Sequence, residues 1–321
     1  MKILVTGASG FVGGKVAALL RQSGHQVLGV GRRRLPDPDY LSFDLAEPWS
    51  FDFVPDAVLH AAAKASPWGT RRQFERDNVI ATENAIEFCR RTAEKLGRLP
   101  KLVYVSSSSV FYQPGDQLGL TEASPIGPTF ANDYAATKAE GEKRVEAYEG
   151  PWAIARPRAV FGPGDTVLFP RILAAAKKGK LPILERSGPP AIGDLIYIDS
   201  LSDYLRQLVE RPKLQGAYNL TNGQPIAIQT FLLDILARLG LPAPKKKVPL
   251  RVAFVAATIS EAVYKVFRLK GEPPITRFGV GVFAWSKTFD VKKTLRDLGP
   301  PKVSLEEGVE AFVAWQREQL S

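Results

Sequence analysis

The run Thr6-Gly7-Ala8-Ser9-Gly10-Phe11-Val12-Gly13 sits between an apolar stretch, Lys2–Val5, and a stretch with helical spacing, Phe11–Ser23. Few short sequences restrict a fold so strongly. A buried strand must turn sharply at Gly7, and Gly10 has no side chain to block the close approach of a pyrophosphate. Gly13 lets the helix pack against the strand it has just left. The helix then points free N–H groups and a positive partial charge at whatever lies over the turn. Gly7, Ser9, Gly10, Phe11, Val12 and Gly13 are therefore candidate contacts for a dinucleotide.

Downstream of the turn, short apolar runs alternate with helical stretches. Gln26–Gly31, Ala57–Ala62, Leu102–Ser106 and Trp152–Ala155 read as strands, the last ending at Arg156-Pro157. Arg76–Leu96 and Phe130–Tyr148 read as helices. That alternation predicts βαβ units and a parallel sheet. From about residue 166 the pattern loosens. Leu168–Lys178 and Thr230–Leu239 look helical, Leu195–Ile198 and Ala217–Leu220 look like short strands, and Pro182–Pro190 reads as a loop. The 321 residues are 45% hydrophobic, enough for a sizeable core. A net charge of +10 favours anionic partners, but the basic runs Arg32–Arg34 and Lys245–Lys247 are too short for a nucleic-acid tail. The lone Cys89 allows neither an intrachain disulfide nor a multi-cysteine metal site, and no metal is expected. No apolar run is long enough to span a bilayer, and the start of the chain does not read as a signal peptide, so a cytoplasmic location is expected.

The second strand ends in Gly31-Arg32-Arg33-Arg34, where sites for NAD usually carry a carboxylate for the ribose hydroxyls. A carboxylate there would repel a 2′-phosphate, whereas a guanidinium pairs with it, so Arg32 and Arg33 point to NADP(H) over NAD(H). Further along, Tyr134-Ala-Ala-Thr-Lys138 puts a phenol and an ammonium on one helical face. The nearby cation is expected to lower the tyrosine pKa and make Tyr134 a general acid/base for interconverting a carbinol and a carbonyl. Leu102–Ser109 runs from a strand into four serines, one of which can hydrogen-bond a substrate oxygen beside Tyr134.

Taken in order, several segments resemble the extended short-chain dehydrogenase/reductases of the NAD-dependent epimerase/dehydratase superfamily. They are the glycine turn, Asp44-Leu45, His60-Ala61-Ala62-Ala63, the serine run before Val110-Phe111, Tyr134-x-x-x-Lys138 and Arg156–Gly164. The resemblance covers roughly residues 1–220. It implies a Rossmann-type doubly wound α/β sheet with a smaller, mainly α-helical C-terminal substrate domain. Counting back from Val110, it makes Ser107 the catalytic hydroxyl, with Ser108 as the other register. It places Asp44 and Leu45 at the adenine and Ala61, Ala62 and Ala63 along the dinucleotide. Tyr134 and Lys138 would lie at the nicotinamide ribose, and Arg156 and Pro157 beside the nicotinamide. His60 is read as a packed residue and Asn78 as a backbone-bonding one. The nucleotide domain would comprise 1–165 plus about 193–220, and the substrate domain about 166–192 plus 221–321.

Val248–Leu269 is the most apolar long segment. Val252, Val255, Ile259, Val263 and Val266 recur at helical spacing, with Phe254, Ala256 and Ala257 widening the face. It can serve as a core helix, as the wall of an apolar pocket, or as a peripheral membrane contact with a basic rim. Of these, the pocket wall is tested most directly, with Val255 and Ile259 on its inner face. The tail, from Gly271-Glu-Pro-Pro274 through Phe289–Lys293 to Trp315, resembles the 3β-hydroxysteroid dehydrogenase-like branch. That branch implies a lipophilic 3-hydroxy/3-keto substrate, steroid-like or a long-chain keto acid, and is compatible with a homodimer. The competing reading is a nucleotide-sugar epimerase or dehydratase that keeps NAD tightly bound.

Overall fold

The computed structural model describes residues 1–319. Its centre is a seven-stranded sheet in which every pairing is parallel. From edge to edge the strands are Tyr40–Ser42, Gln26–Gly31, Lys2–Thr6, Ala57–His60, Lys101–Val105, Trp152–Pro157 and Gly216–Leu220. Ile3, Leu4, Val5, Val58, Leu59, Leu102 and Val103 are fully buried, as expected of strands covered on both faces. Helices Phe11–Gln22 and Ile198–Glu210 cover one face, contributing Val16, Leu20, Leu201, Leu205 and Leu208 to its core. Helices Ala81–Leu96 and Asp133–Glu146 cover the other, with Ala85, Ile86, Phe88 and Val145.

The chain starts in the middle of the sheet, fills one side, then crosses back to build the other from Ala57–His60 outward. This reversal between Lys2–Thr6 and Ala57–His60 is the topological switch point, where the carboxyl ends of neighbouring strands diverge and leave a crevice. The glycine turn stands at that point.

The structure departs from the sequence-based expectations in several elements. The helix expected over 76–96 begins earlier, at Arg71–Phe74, passes through a π-helical segment, Glu75–Ile80, and continues as Ala81–Leu96. A π turn rotates the residues it contains, and here it turns Asn78 inward, where it is 1% exposed. Ile198–Glu210, not foreseen as a full helix, follows a strand reduced to Ile196–Tyr197. The expected loop 182–190 contains a short strand, Ile183–Glu185.

Helices dominate the C-terminal region, but it also contributes to a small four-stranded sheet. That sheet is ordered Ile226–Ala227, Ile192–Gly193, Lys287–Phe289, Gln117–Leu120. The pocket-wall expectation for helix Leu250–Val266 is overturned. Its buried residues are Ala253, Ala257 and Glu261, while Val255 and Ile259 are 60% and 59% exposed. The helix lies against Arg277–Ala284, with Ala253, Ala257 and Val280 forming the contact. Alanines allow two helices to approach closely, so the inward stripe is the small-residue one and the β-branched stripe is left outside.

Candidate active site

Gly7 has φ +68°, and a Cβ added there would lie 2.9 Å from both Cα and N of Ala62. A Cβ on Gly13 would meet the Gly7 carbonyl oxygen at 2.4 Å. Both glycines are therefore fixed by contact between backbones. Gly10 caps the helix Phe11–Gln22 and supplies no side chain to its N–H groups. Tyr40 Oη is buried and has no hydrogen-bond partner among the described residues. It stands beside Gly31, where a Cβ would be 2.8 Å from Tyr40 Oη and 2.9 Å from Ser9 Oγ. An uncapped helix end, a side-chain-free cradle and an unpartnered hydroxyl at the end of the second strand fit a dinucleotide.

Around this cradle Arg32 Nη1 is 3.1 Å from Asp77 Oδ2, and Arg33 donates to the Ser9 carbonyl. Asp44 accepts from Arg76 Nη2 at 2.6 Å, and that guanidinium holds its carboxyl below the usual range. Arg76, which sequence reasoning did not single out, is thus a third cation beside the strand end. It was invisible as a neighbour because 32 residues separate it from Asp44. Leu45 is buried, and its carbonyl accepts from Trp49 and Asn84. Ala61, Ala62 and Ala63 follow His60 at the carboxyl end of the fourth strand, with Ala62 N–H donating to Thr6 Oγ1 at 3.1 Å. His60 is fully buried, bonded through Nδ1 to Thr6 Oγ1 at 2.8 Å and stacked on Tyr104. Burial first, and the Lys138 charge second, push its pKa down to about 3, so the imidazole is neutral and structural.

The four serines are sorted by their partners. Ser106 donates to the Glu142 carboxylate, and Ser108 Oγ lies 3.4 Å from Tyr112 Oη. Ser109 donates to Ser107 Oγ at 2.9 Å. Ser107 alone among them is not buried, and its hydroxyl reaches Tyr134. Burial raises the Tyr134 pKa, and the Ser107 hydroxyl offsets part of that rise. The lowered tyrosine pKa expected from the sequence is therefore not what the structure has. Desolvation is the larger cause, and it favours the neutral phenol.

Lys138 is 2% exposed, donates to the Val105 carbonyl at 2.7 Å and lies over the Tyr104 ring. Its pKa is lowered to about 7 by burial, with Glu142 opposing the fall. Arg156 does not offer its guanidinium to the crevice: it is bound by Glu142 through Nε at 3.0 Å and Nη2 at 2.7 Å, both side chains 3% exposed. Pro157 ends the strand that carries it. Asn78 Oδ1 accepts from Lys64 N–H at 2.8 Å, and Nδ2 donates to Thr137 Oγ1 at 3.0 Å. It thus ties the loop after Ala63 to the helix of Tyr134. No group of acidic, cysteine or histidine side chains suited to a metal occurs among the described residues.

Asp194 lies deeper, 1% exposed, accepting from Phe289 N–H at 3.0 Å. Burial raises its pKa to about 6, against the pull of that hydrogen bond and of Arg158. Because the folded value exceeds the unfolded one, this group stabilises the fold below about pH 4 and loses that contribution as pH rises through 6. Asp194→Asn should remove this dependence, on the order of 1–3 kcal/mol between those limits. Melting temperatures of both proteins from pH 4 to 7 measure it, and parallel curves would show that Asp194 does not titrate in that window.

Residues 3–221 match the NAD dependent epimerase/dehydratase family. A 2-alkyl-3-oxoalkanoate reductase of Stenotrophomonas maltophilia (strain K279a) is 35% identical over 98% of this chain and 99% of its own length. The decarboxylating sterol-4-alpha-carboxylate 3-dehydrogenase of Mus musculus is 27% identical over 97% of this chain and 90% of its own. Among solved structures, MoeE5 in complex with UDP-glucose and NAD superimposes with a TM-score of 0.76 at 23% identity, covering 100% of both chains. At that identity the likeness speaks for the fold.

Proposed function

The chain belongs to the NAD-dependent epimerase/dehydratase family and is an NAD(P)-dependent oxidoreductase; from that premise we propose that it reduces a lipophilic 3-keto compound to the 3-hydroxy product, with NADP(H) preferred. The observation that carries this reading is that helix Asp133–Glu146 sets Tyr134 and Lys138 at the carboxyl end of strand Lys101–Val105, where Lys138 Nζ donates to the Val105 carbonyl and Ser107, the one partly exposed serine of the run, follows.

In this reading Ser107 donates a hydrogen bond to the ketone oxygen and Tyr134 Oη gives it a proton, so the C=O double bond becomes a C–H and an O–H. Hydride supply is the one task left to the dinucleotide when bound. A neutral phenol carries the proton that reduction of the ketone requires. Lys138, anchored to the Val105 carbonyl beneath the site, would hold the nicotinamide ribose. Asp44, Leu45 and Ala61 to Ala63 would line the adenine and pyrophosphate, and Pro157 would lie beside the nicotinamide. Residues 1–165 and about 193–220 form the nucleotide domain, and the remainder the substrate domain. The alkyl keto acid and the sterol in the relatives' names support a lipophilic substrate. A substrate of that kind is carried in lipid phases, so a membrane contact through 248–269 belongs to the same reading.

Oxidation of NADPH and NADH in the presence of a 2-alkyl-3-keto acid, a 3-ketosteroid or a UDP-sugar tests the proposal. Turnover is expected with the keto acid or steroid, and activity on the UDP-sugar alone would overturn it. For the cofactor, Arg32→Ala/Arg33→Ala should weaken NADP(H) by roughly 10–100-fold, as one lost charge-assisted contact of about 1.5–3 kcal/mol implies. NAD(H) should change little. Binding titrations of the two cofactors measure this, and equal affinities in the unaltered protein would remove the preference.

A further inference from the structure

The outward side of helix Leu250–Val266 and the residues just after it carry seven of the thirteen exposed large hydrophobic side chains among the described residues. Val252, Val255, Ile259 and Val266 are 56%, 60%, 59% and 74% exposed, and Phe267 and Leu269 add 69% and 46%. They recur at i, i+3, i+7 and i+14, so they share one stripe. Lys245, Lys246, Lys247, Arg251, Lys265, Arg268 and Lys270 are all exposed around them. The single acid of this stretch, Glu261, is turned inward and bonded to Arg277. Lys247 is 3.9 Å from Glu185, and the other six are without an acid of this stretch beside them. An apolar stripe with a predominantly basic rim is the pattern of a helix that lies in a bilayer interface, its cations among anionic headgroups. No helix among the described residues is long and apolar enough to cross a membrane, so the contact this face can make is a peripheral one.

The same helix touches the loop at the active site. The Trp68 ring packs edge-on against Tyr264 at 6.3 Å, and Lys265 Nζ stands 5.7 Å over it. Ser66 donates to Glu272, just beyond the helix. Trp68 and Ser66 belong to the segment that follows Ala63. Lys64 of that segment lies over Phe74, whose ring is 6.4 Å from that of Tyr134.

We propose that residues 245–270 dock this protein on the surface of an anionic lipid bilayer, setting the loop 64–69 and the mouth of the reaction site against the lipid. The proposal rests on the reading of the substrate as lipophilic, and its test does not depend on that reading being right. The full-length protein is sedimented with vesicles of phosphatidylcholine alone, or of phosphatidylcholine with phosphatidylglycerol. Binding is expected to the anionic vesicles and to weaken as salt is raised. Lys245→Gln/Lys246→Gln/Lys247→Gln should lower the affinity on the order of a hundredfold. Val255→Ser/Ile259→Ser/Val266→Ser should abolish binding while leaving the reduction of a short water-soluble ketone, and the melting temperature, unchanged. These side chains are exposed, so the variant is expected to fold.

Failure of the unaltered protein to sediment with anionic vesicles at low salt would overturn the proposal. So would a dimer in sedimentation equilibrium that the valine and isoleucine substitutions dissociate, because a second copy would then cover the face. Vesicle binding without turnover of any ketone would leave the docking in place and remove the proposed substrate.

Discussion

Tyr134→Phe is expected to lower ketone reduction by roughly 10²–10⁴-fold, the usual contribution of a positioned general acid, while cofactor affinity stays within a few-fold. The substitution removes one oxygen. Ring packing against Phe74, whose centroid is 6.4 Å away, is preserved because phenylalanine keeps the ring. What is lost is the proton for the nascent alkoxide and the polar contact with Ser107. Binding titrations of NADP(H) beside kcat for a 3-keto substrate separate the two effects. Activity above about a tenth of the unaltered enzyme would mean that another group supplies the proton. Ser107→Ala should reduce kcat as well, whereas Ser108→Ala should not, since Ser108 is buried against Tyr112. Equal losses from the two serines would undo the choice of register.

The sheet was legible because its code is local. Strands such as Gln26–Gly31 and Trp152–Pro157 are apolar runs bounded by glycine, proline or charge, and burial on both faces leaves little else for them to be. The glycine turn was legible for a related reason: a Cβ at Gly7 or Gly13 collides with backbone, so the sequence must display the glycine. What the sequence did not display are features set by long-range contact. The Tyr134 pKa depends on how deeply its helix is seated, and the spacing to Lys138 alone suggested the opposite sign. The sorting of Ser106 to Ser109 depends on Glu142 and Tyr112, which arrive from elsewhere in the chain. In helix Leu250–Val266 the period was legible, and which face turns inward was not. Hydrophobicity alone left core, pocket wall and membrane contact open for the valine and isoleucine stripe, and close packing against Arg277–Ala284 selected the alanines for the inside.

The Arg156–Glu142 pair carries the other large expected effect. Both side chains are 3% exposed. Around the carboxylate converge Arg156 Nε and Nη2 and the Ser106 hydroxyl, and Arg156 Nη1 also donates to the Glu122 carbonyl at 3.1 Å. Taking two charges out of water is costly, and only this set of hydrogen bonds offsets it. Glu142→Ala leaves a buried guanidinium unpaired, a loss of about 3–5 kcal/mol that would lower the melting temperature by roughly 4–8 °C. Replacing both partners by apolar residues, as in Glu142→Leu/Arg156→Met, should recover much of that stability because no buried charge is then left alone. The double variant also isolates a second role. Glu142 opposes the fall of the Lys138 pKa, so without the carboxylate that pKa should drop further below about 7. Lys138 would then lose its charge at a lower pH, and any limb of the kcat–pH profile that reports this lysine should move toward acid. A double variant that folds, melts near the unaltered protein and keeps the same profile would show that the pair serves packing alone. A single Glu142→Ala variant as stable as the unaltered protein would show that the pair is not needed for stability.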